Sequence, residues 1–153
     1  MKPSFKYILH VDDDEEDYLM LYEAIKEVNG SIDVGFIKEF PDNMDNLMQS
    51  RPDLIFLDIN MPAHDGFYWL QEMAKQPNFA TPVIMFSTAS TDHYITRAYE
   101  ASAHLFFVKP PTFAQLVVSL QHILPMNWQD PEDIRKQHNQ DGLPQPFRLQ
   151  ETI

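Results

Sequence analysis

The chain has 153 residues, 44% of them hydrophobic and 12% aromatic, enough for one domain with a core of its own. Its 23 acidic residues outweigh 11 basic ones to give a net charge of −12, which speaks against a direct nucleic-acid ligand, because phosphate backbones are bound by clustered Lys and Arg. With no cysteine there is no disulfide, zinc-thiolate or thiol-nucleophile chemistry to consider, and most of the acidity is accounted for by solubility.

The first apolar run, 7–11, reads as a strand and meets acids at once in Asp12-Asp13-Asp14. It is too short for the apolar region of a signal peptide, and no run approaches the roughly 18 apolar residues of a membrane span, so a cytoplasmic protein with no membrane partner is expected. Tyr18, Leu21, Tyr22, Ile25 and Val28 then repeat at helical spacing, and Asn29-Gly30 supplies a stop, predicting a helix over 15–29. A strand follows at 32–37, a short helix at 41–49, and a second buried strand at 54–57. Further helices are predicted at 66–75, 91–101 and 112–124, separated by apolar runs at 83–86 and 105–108. The helix at 112–124 is the clearest, with Phe113, Leu116, Val117, Leu120, Ile123 and Leu124 on one stripe. The apolar runs are continuous rather than alternating, as expected of parallel strands covered on both faces. Five βα units in succession therefore predict a doubly wound α/β domain over 5–124. Beyond it Pro125, Pro131, Pro144 and Pro146 interrupt a polar tail, 125–153, either docked or flexible, with one short helix near 131–138.

Four of the apolar runs end in chemistry: in Asp12 and Asp13, in Asp58, in Ser87, and in Lys109. Parallel strands bring such ends to one rim, where open α/β sheets place their ligands. Each has an ordinary reading when taken singly. Asp14 suits an N-cap, with Glu15, Glu16 and Asp17 favouring the helix dipole; Ser87 suits a turn, with Ser90 or Thr91 capping the next helix; Lys109 suits a snorkelling surface residue. Asp58 is harder to explain away, since an unpaired charge at the end of a Leu, Ile and Phe strand is costly. Together, three acids, a hydroxyl and a lysine suggest a divalent metal and a phosphoryl group, because carboxylates that meet without a cation repel one another and Mg²⁺ prefers hard oxygen ligands. His10, His64, His93 and His104 show no metal spacing and read as packed or solvated.

Taken in order, these residues resemble the receiver domains of two-component response regulators. The matching elements are Val11-Asp12-Asp13, Leu57-Asp58-Ile59-Asn60-Met61-Pro62 with Asp65-Gly66, Pro82-Val83-Ile84-Met85-Phe86-Ser87, and Val108-Lys109-Pro110. The resemblance implies a flavodoxin-like (βα)5 fold with a five-stranded parallel sheet in the order 2-1-3-4-5. It implies that Asp58 is the phosphoacceptor, taking phosphate from a sensor histidine kinase, a histidine phosphotransfer protein or a small phosphodonor. Mg²⁺ would be held by Asp12, Asp13, Asp58 and the Asn60 backbone carbonyl, with Ser87 and Lys109 holding the transferred group. Ser87 takes the family's hydroxyl position, with Thr88 as the fallback. Phe106 stands where many members carry a switch tyrosine, and Lys109-Pro110 looks like the family's cis peptide bond, aiming the lysine into the site.

Two other classes compete. A haloacid-dehalogenase-like phosphatase also uses a strand-end Asp with Mg²⁺, but resembles its kin in having a second Asp two residues on, where this chain has Asn60. A phosphorylation-independent adaptor would need none of Asp12, Asp13, Asp58, Ser87 and Lys109. The expected protein is a stand-alone receiver, not a turnover enzyme, that acts by contact: it binds an unknown target through the surface of helix 91–101, strand 105–108 and helix 112–124, relays phosphate to a histidine phosphotransfer protein, or drains a kinase as a phosphate sink.

Overall fold

In an extended strand successive side chains point to opposite faces, so a continuous apolar run can feed two cores at once. That is how this chain uses its strands. The computed structural model describes residues 5–38, 47, 49–61, 64–88, 91–139 and 143–147. Strands β1 (Tyr7–Val11), β2 (Asp33–Ile37), β3 (Leu54–Leu57), β4 (Val83–Ser87) and β5 (Leu105–Val108) form one parallel sheet in the order β2-β1-β3-β4-β5, the order expected. Helices α1 (Glu15–Val28), α2 (Gly66–Ala74), α3 (Asp92–Glu100), α4 (Phe113–Ile123) and α5 (Pro131–Gln137) cover it. The helix predicted at 41–49 lies mostly outside the described residues, although Leu47 within it is helical and buried.

On one face Ile8, Leu54, Phe56, Ile84, Phe86, Leu105 and Phe107 pack with Leu21 and Ile25 of α1 and Leu116, Leu120 and Ile123 of α4. On the other, Leu9, Val11, Ile55, Leu57, Val83, Met85 and Phe106 pack with Phe67, Leu70 and Met73 of α2 and Ile95, Ala98 and Tyr99 of α3. Each fully buried side chain of this kind contributes about 1.5–3 kcal/mol, so the two cores dominate the stability. The registers Val11↔Leu57, Leu57↔Met85 and Ser87↔Val108 bring the C-terminal ends of four strands level at one rim.

Side-chain oxygens set the helix starts. Asp14 accepts from the Glu16 and Asp17 amides, Asp65 from Tyr68, Thr91 from Tyr94 and Thr112 from Gln115. At the other end of α3, Ser102 adopts φ 83°. Its amide donates to the Tyr99 carbonyl at 3.1 Å and the Ala103 amide to Ala98 at 3.0 Å, the paired bonds of a Schellman turn that favours glycine. A left-handed conformation costs an L-residue about 1–2 kcal/mol, partly offset by glycine's greater freedom when unfolded. Ser102→Gly is therefore expected to stabilise the protein by about 0.5–1 kcal/mol, read as a higher urea midpoint. An unchanged or lower midpoint would contradict this account of the turn.

Candidate functional site: an acidic rim with one lysine

At the rim the chain assembles opposite charges with little water. Asp12 is fully buried at the end of β1, Asp58 is 5% exposed just past β3, and Ser87 is fully buried at the end of β4. Asp13 is exposed. One carboxylate oxygen from each of Asp12, Asp13 and Asp58 lies within 4.8 Å of the others. Lys109, leaving β5, places Nζ 2.9 Å from Asp12 Oδ2, 2.6 Å from Asp17 Oδ2 and 3.5 Å from Asp58 Oδ2.

Backbone geometry fixes the two inner carboxylates. The Asp14 amide donates to Asp12 Oδ1 at 2.9 Å, and the Asn60 amide stands in the same relation to Asp58. Asn60 itself is exposed. The Asp58 amide donates to the Val11 carbonyl at 2.9 Å, and the Lys109 amide to the Ser87 carbonyl at 2.9 Å, so neighbouring strands hold both residues by their main chain.

Two buried acids at close range do not titrate alike. Burial opposes the charge on Asp12, but the His10 ring, the Lys109 ammonium and the Asp14 amide outweigh it and hold Asp12 well below the usual carboxylate range. Burial pushes Asp58 up to about 7; Lys109 opposes the rise and Asp12 adds to it. Burial alone would lower Lys109, yet Asp58, Asp17 and Asp12 together raise it, so it stays a cation. The cluster is thus short of positive charge, and its weakest link is the carboxyl of Asp58. A hard divalent cation with oxygen ligands removes that conflict, so the residues present fit one.

Two contacts escaped the sequence reading. Asp17 does more than favour the helix dipole: within the first turn of α1, it meets Lys109. His10 is packed, as expected, among Tyr18, Phe36 and Phe86, but its Nε2 also lies 3.3 Å from Asp12 Oδ2, with both side chains fully buried. The only advance signal for either was its distance from Asp12 in the chain, two residues for His10 and five for Asp17. Phe106 sits apart from the acids, fully buried against α3. One expectation is corrected: the Lys109–Pro110 bond is trans, since no described residue has a cis peptide bond. Lysine reaches all three carboxylates from that backbone, so the ordinary preference for trans, about 0.5–1 kcal/mol at X–Pro, goes unopposed.

The chain matches the family model of the response regulator receiver domain over residues 8–121. It belongs to that family. Sensory transduction protein LytT of Bacillus cereus is 34% identical over 119 residues, 74% of this chain and 45% of LytT. The chain therefore spans less than half the length of that relative. Among solved structures, the phosphorylated cyanobacterial phytochrome response regulator RcpA aligns with a TM-score of 0.66 at 26% identity, covering 87% of this chain and 93% of its own. The Mn²⁺-bound form of response regulator Rcp1 aligns with a TM-score of 0.61 at 27% identity, over 77% and 91%.

The receiver fold explains the Asp65-Gly66 pair. The Gly66 amide donates to the Ile59 carbonyl at 2.8 Å, which folds the start of α2 against the residues after Asp58. A Cβ at Gly66 would collide with the Asp58 carbonyl oxygen and approach Ile59 Cα to 2.9 Å. Backbone cannot yield as a flexible side chain can, so Gly66→Ala is expected to cost about 1–3 kcal/mol in stability. Urea unfolding reads that loss, and wild-type stability would show that the contact is not tight.

Proposed function

We propose that this receiver is a phosphorylation-activated signalling switch in which Asp58 accepts a phosphoryl group from a phosphohistidine on a sensor histidine kinase or histidine phosphotransfer protein. The observation that carries this reading is a nearly buried carboxylate with two acids and a lysine within reach, at the rim where a parallel sheet presents its ligands. RcpA supports it as a relative determined in phosphorylated form, and Rcp1 as one determined with a divalent ion.

An Asp58 carboxylate oxygen attacks phosphorus; the P–N bond to the donor imidazole breaks, and the imidazole takes up a proton. Asp12, Asp13, Asp58 and the Asn60 carbonyl would hold a Mg²⁺ ion, which would supply charge neutralisation for the phosphoryl oxygens. Lys109 adds a second positive group to those oxygens, exchanging carboxylate partners for phosphoryl ones, and the Ser87 hydroxyl donates to them. Ser87 and Lys109 are joined across β4 and β5, so their adjustment reaches Phe106 and α3, and with them the α3-β5-α4 surface offered to a target. The transfer is the protein's own modification rather than turnover of a substrate. Among the described residues no helix is long and apolar enough to cross a membrane.

Acetyl phosphate with Mg²⁺ tests the proposal. Wild type should gain one phosphoryl mass, lost again on standing and blocked by EDTA. No gain under conditions that phosphorylate a control receiver would sink the idea.

A further inference from the structure

The switch as described leaves the C-terminal segment without a role, yet that segment is built onto the edge of the sheet. Trp128 is buried and its Nε1 donates to the Ile123 carbonyl at 2.9 Å; Ile134 of α5 is buried in the same core. Arg135 Nη2 donates to the Tyr99 carbonyl at 2.7 Å. Further on, the Gln145 amide donates to the His138 carbonyl at 2.7 Å, and Phe147 pairs with Phe107 in a parallel bridge. The Phe147 amide donates to the Phe106 carbonyl at 2.7 Å, while its ring sits edge-on to Phe107 at 5.8 Å. Residues 145–147 thus lie along the outer side of β5, the last strand of the sheet.

Such an edge, with carbonyls and amides facing outward, accepts an added strand. Among the described residues, a backbone bond, a ring contact and the Tyr99 hydroxyl tie the cover to the sheet and to α3, and Pro146 of the cover is buried. That hydroxyl accepts from the Phe106 amide at 3.1 Å and donates to the Gln145 carbonyl at 2.7 Å. Tyr99 therefore serves helix, strand and cover at once, and a movement of α3 against β5 is felt at the bonds it makes to strand and cover. Beside the Phe147 ring a cavity of about 190 Å³ opens between β5 and α4, bordered by Phe107, Lys109, Pro110, Gln115 and Ser119. The cover and the lysine of the acidic rim share its walls.

We propose that the outer edge of β5 is the surface on which this switch docks an extended strand of its target bearing an aromatic anchor, and that residues 143–147 are a built-in competitor displaced when Asp58 is phosphorylated. This rests on the phosphoryl reading of Asp58. Phe147 marks the chemistry of the anchor: an aromatic ring against Phe107, one residue donating its amide to Phe106. Pro144 and Pro146 alternate with Gln145 and Phe147, so their missing donors face away from β5 and Phe147 supplies the cover's amide to the ladder.

Hydrogen exchange on the full chain, with intact mass read on the same samples, tests this. In unphosphorylated wild type the Gln145 and Phe147 amides should exchange roughly ten-fold or more slowly than in Tyr99→Phe or Phe147→Ala. On treatment with acetyl phosphate and Mg²⁺, molecules that carry the phosphoryl group should lose that protection while β1 keeps its own. A labelled peptide of residues 143–147 should bind phosphorylated wild type and Phe147→Ala roughly ten times more tightly than unphosphorylated wild type. Protection that is absent at the start, or that persists in phosphorylated molecules, overturns the proposal, as does equal peptide binding. A wild type that gains no phosphoryl mass overturns the reading of Asp58 and the release together, so mass and exchange tell the two failures apart.

Discussion

Asp58→Asn is expected to abolish phosphoryl uptake from acetyl phosphate and, in EDTA, to make the protein's stability less dependent on pH. The first effect is complete, because the amide offers no nucleophilic carboxylate oxygen. The second follows from linkage. Folding raises the Asp58 pKa from an ordinary 3.8 to about 7, so the folded state disfavours the ionised form. Well below pH 3.8 the carboxyl is protonated whether folded or not, and no difference arises. As pH climbs from about 4 to 7 the unfolded chain gives up its proton first, and metal-free wild type loses stability; above about 7 the loss levels off. Between pH 5 and pH 8 wild type should lose about 1–3 kcal/mol relative to Asp58→Asn, measured by urea unfolding. Saturating Mg²⁺ should erase most of the difference by favouring the ionised carboxylate. Parallel pH profiles in EDTA would mean that Asp58 is solvated enough to titrate normally.

Lys109→Met should be the most damaging change to the metal-free protein. Lys109 is 10% exposed in its side chain and faces Asp12 and Asp58, which are 0% and 7% exposed, and Asp17, which is 33% exposed. Removing one partner from a buried ion pair costs about 3–5 kcal/mol, because the remaining charge stays behind uncompensated. Asp58 can relieve part of that by taking a proton, and Asp17 by turning to water, so about 2–3 kcal/mol is expected at pH 8 in EDTA. That corresponds to a fall in Tm of about 5–10 °C for a chain of this size. Mg²⁺ should restore most of it, since a divalent ion replaces the missing cation, yet phosphoryl uptake should remain slow without the lysine. A fall of less than about 2 °C in EDTA would show that the acids do not depend on Lys109.

How much of this could be read from the chain differs between its parts. The sheet was legible because each buried strand is a short continuous apolar run, and two of the helix starts because Asp14 and Thr91 precede periodic segments. Asp12, Asp58, Ser87 and Lys109 could be gathered to one rim because strand ends in a parallel sheet share an edge, a rule that needs no side-chain detail. Asp17 was hidden by a sufficient local explanation: an acid in the first turn of a helix already has a reason to be there, and nothing local announces a partner 92 residues away. His10 was hidden inside an apolar run. The cover on β5 was illegible for another reason, since its anchors Trp128, Ile134 and Phe147 stand singly among polar residues and prolines, with no period to reveal a buried face. The isomer of Pro110 is not written in the dipeptide at all.

The rim sets four carboxylates, those of Asp12, Asp13, Asp17 and Asp58, against the single ammonium of Lys109. A phosphodonor is itself an anion, so an ionised, metal-free pocket repels the molecule it is meant to react with. On the proposed reading of Asp58, charge would favour the cation binding before the donor, and raising the donor concentration would not substitute for the cation.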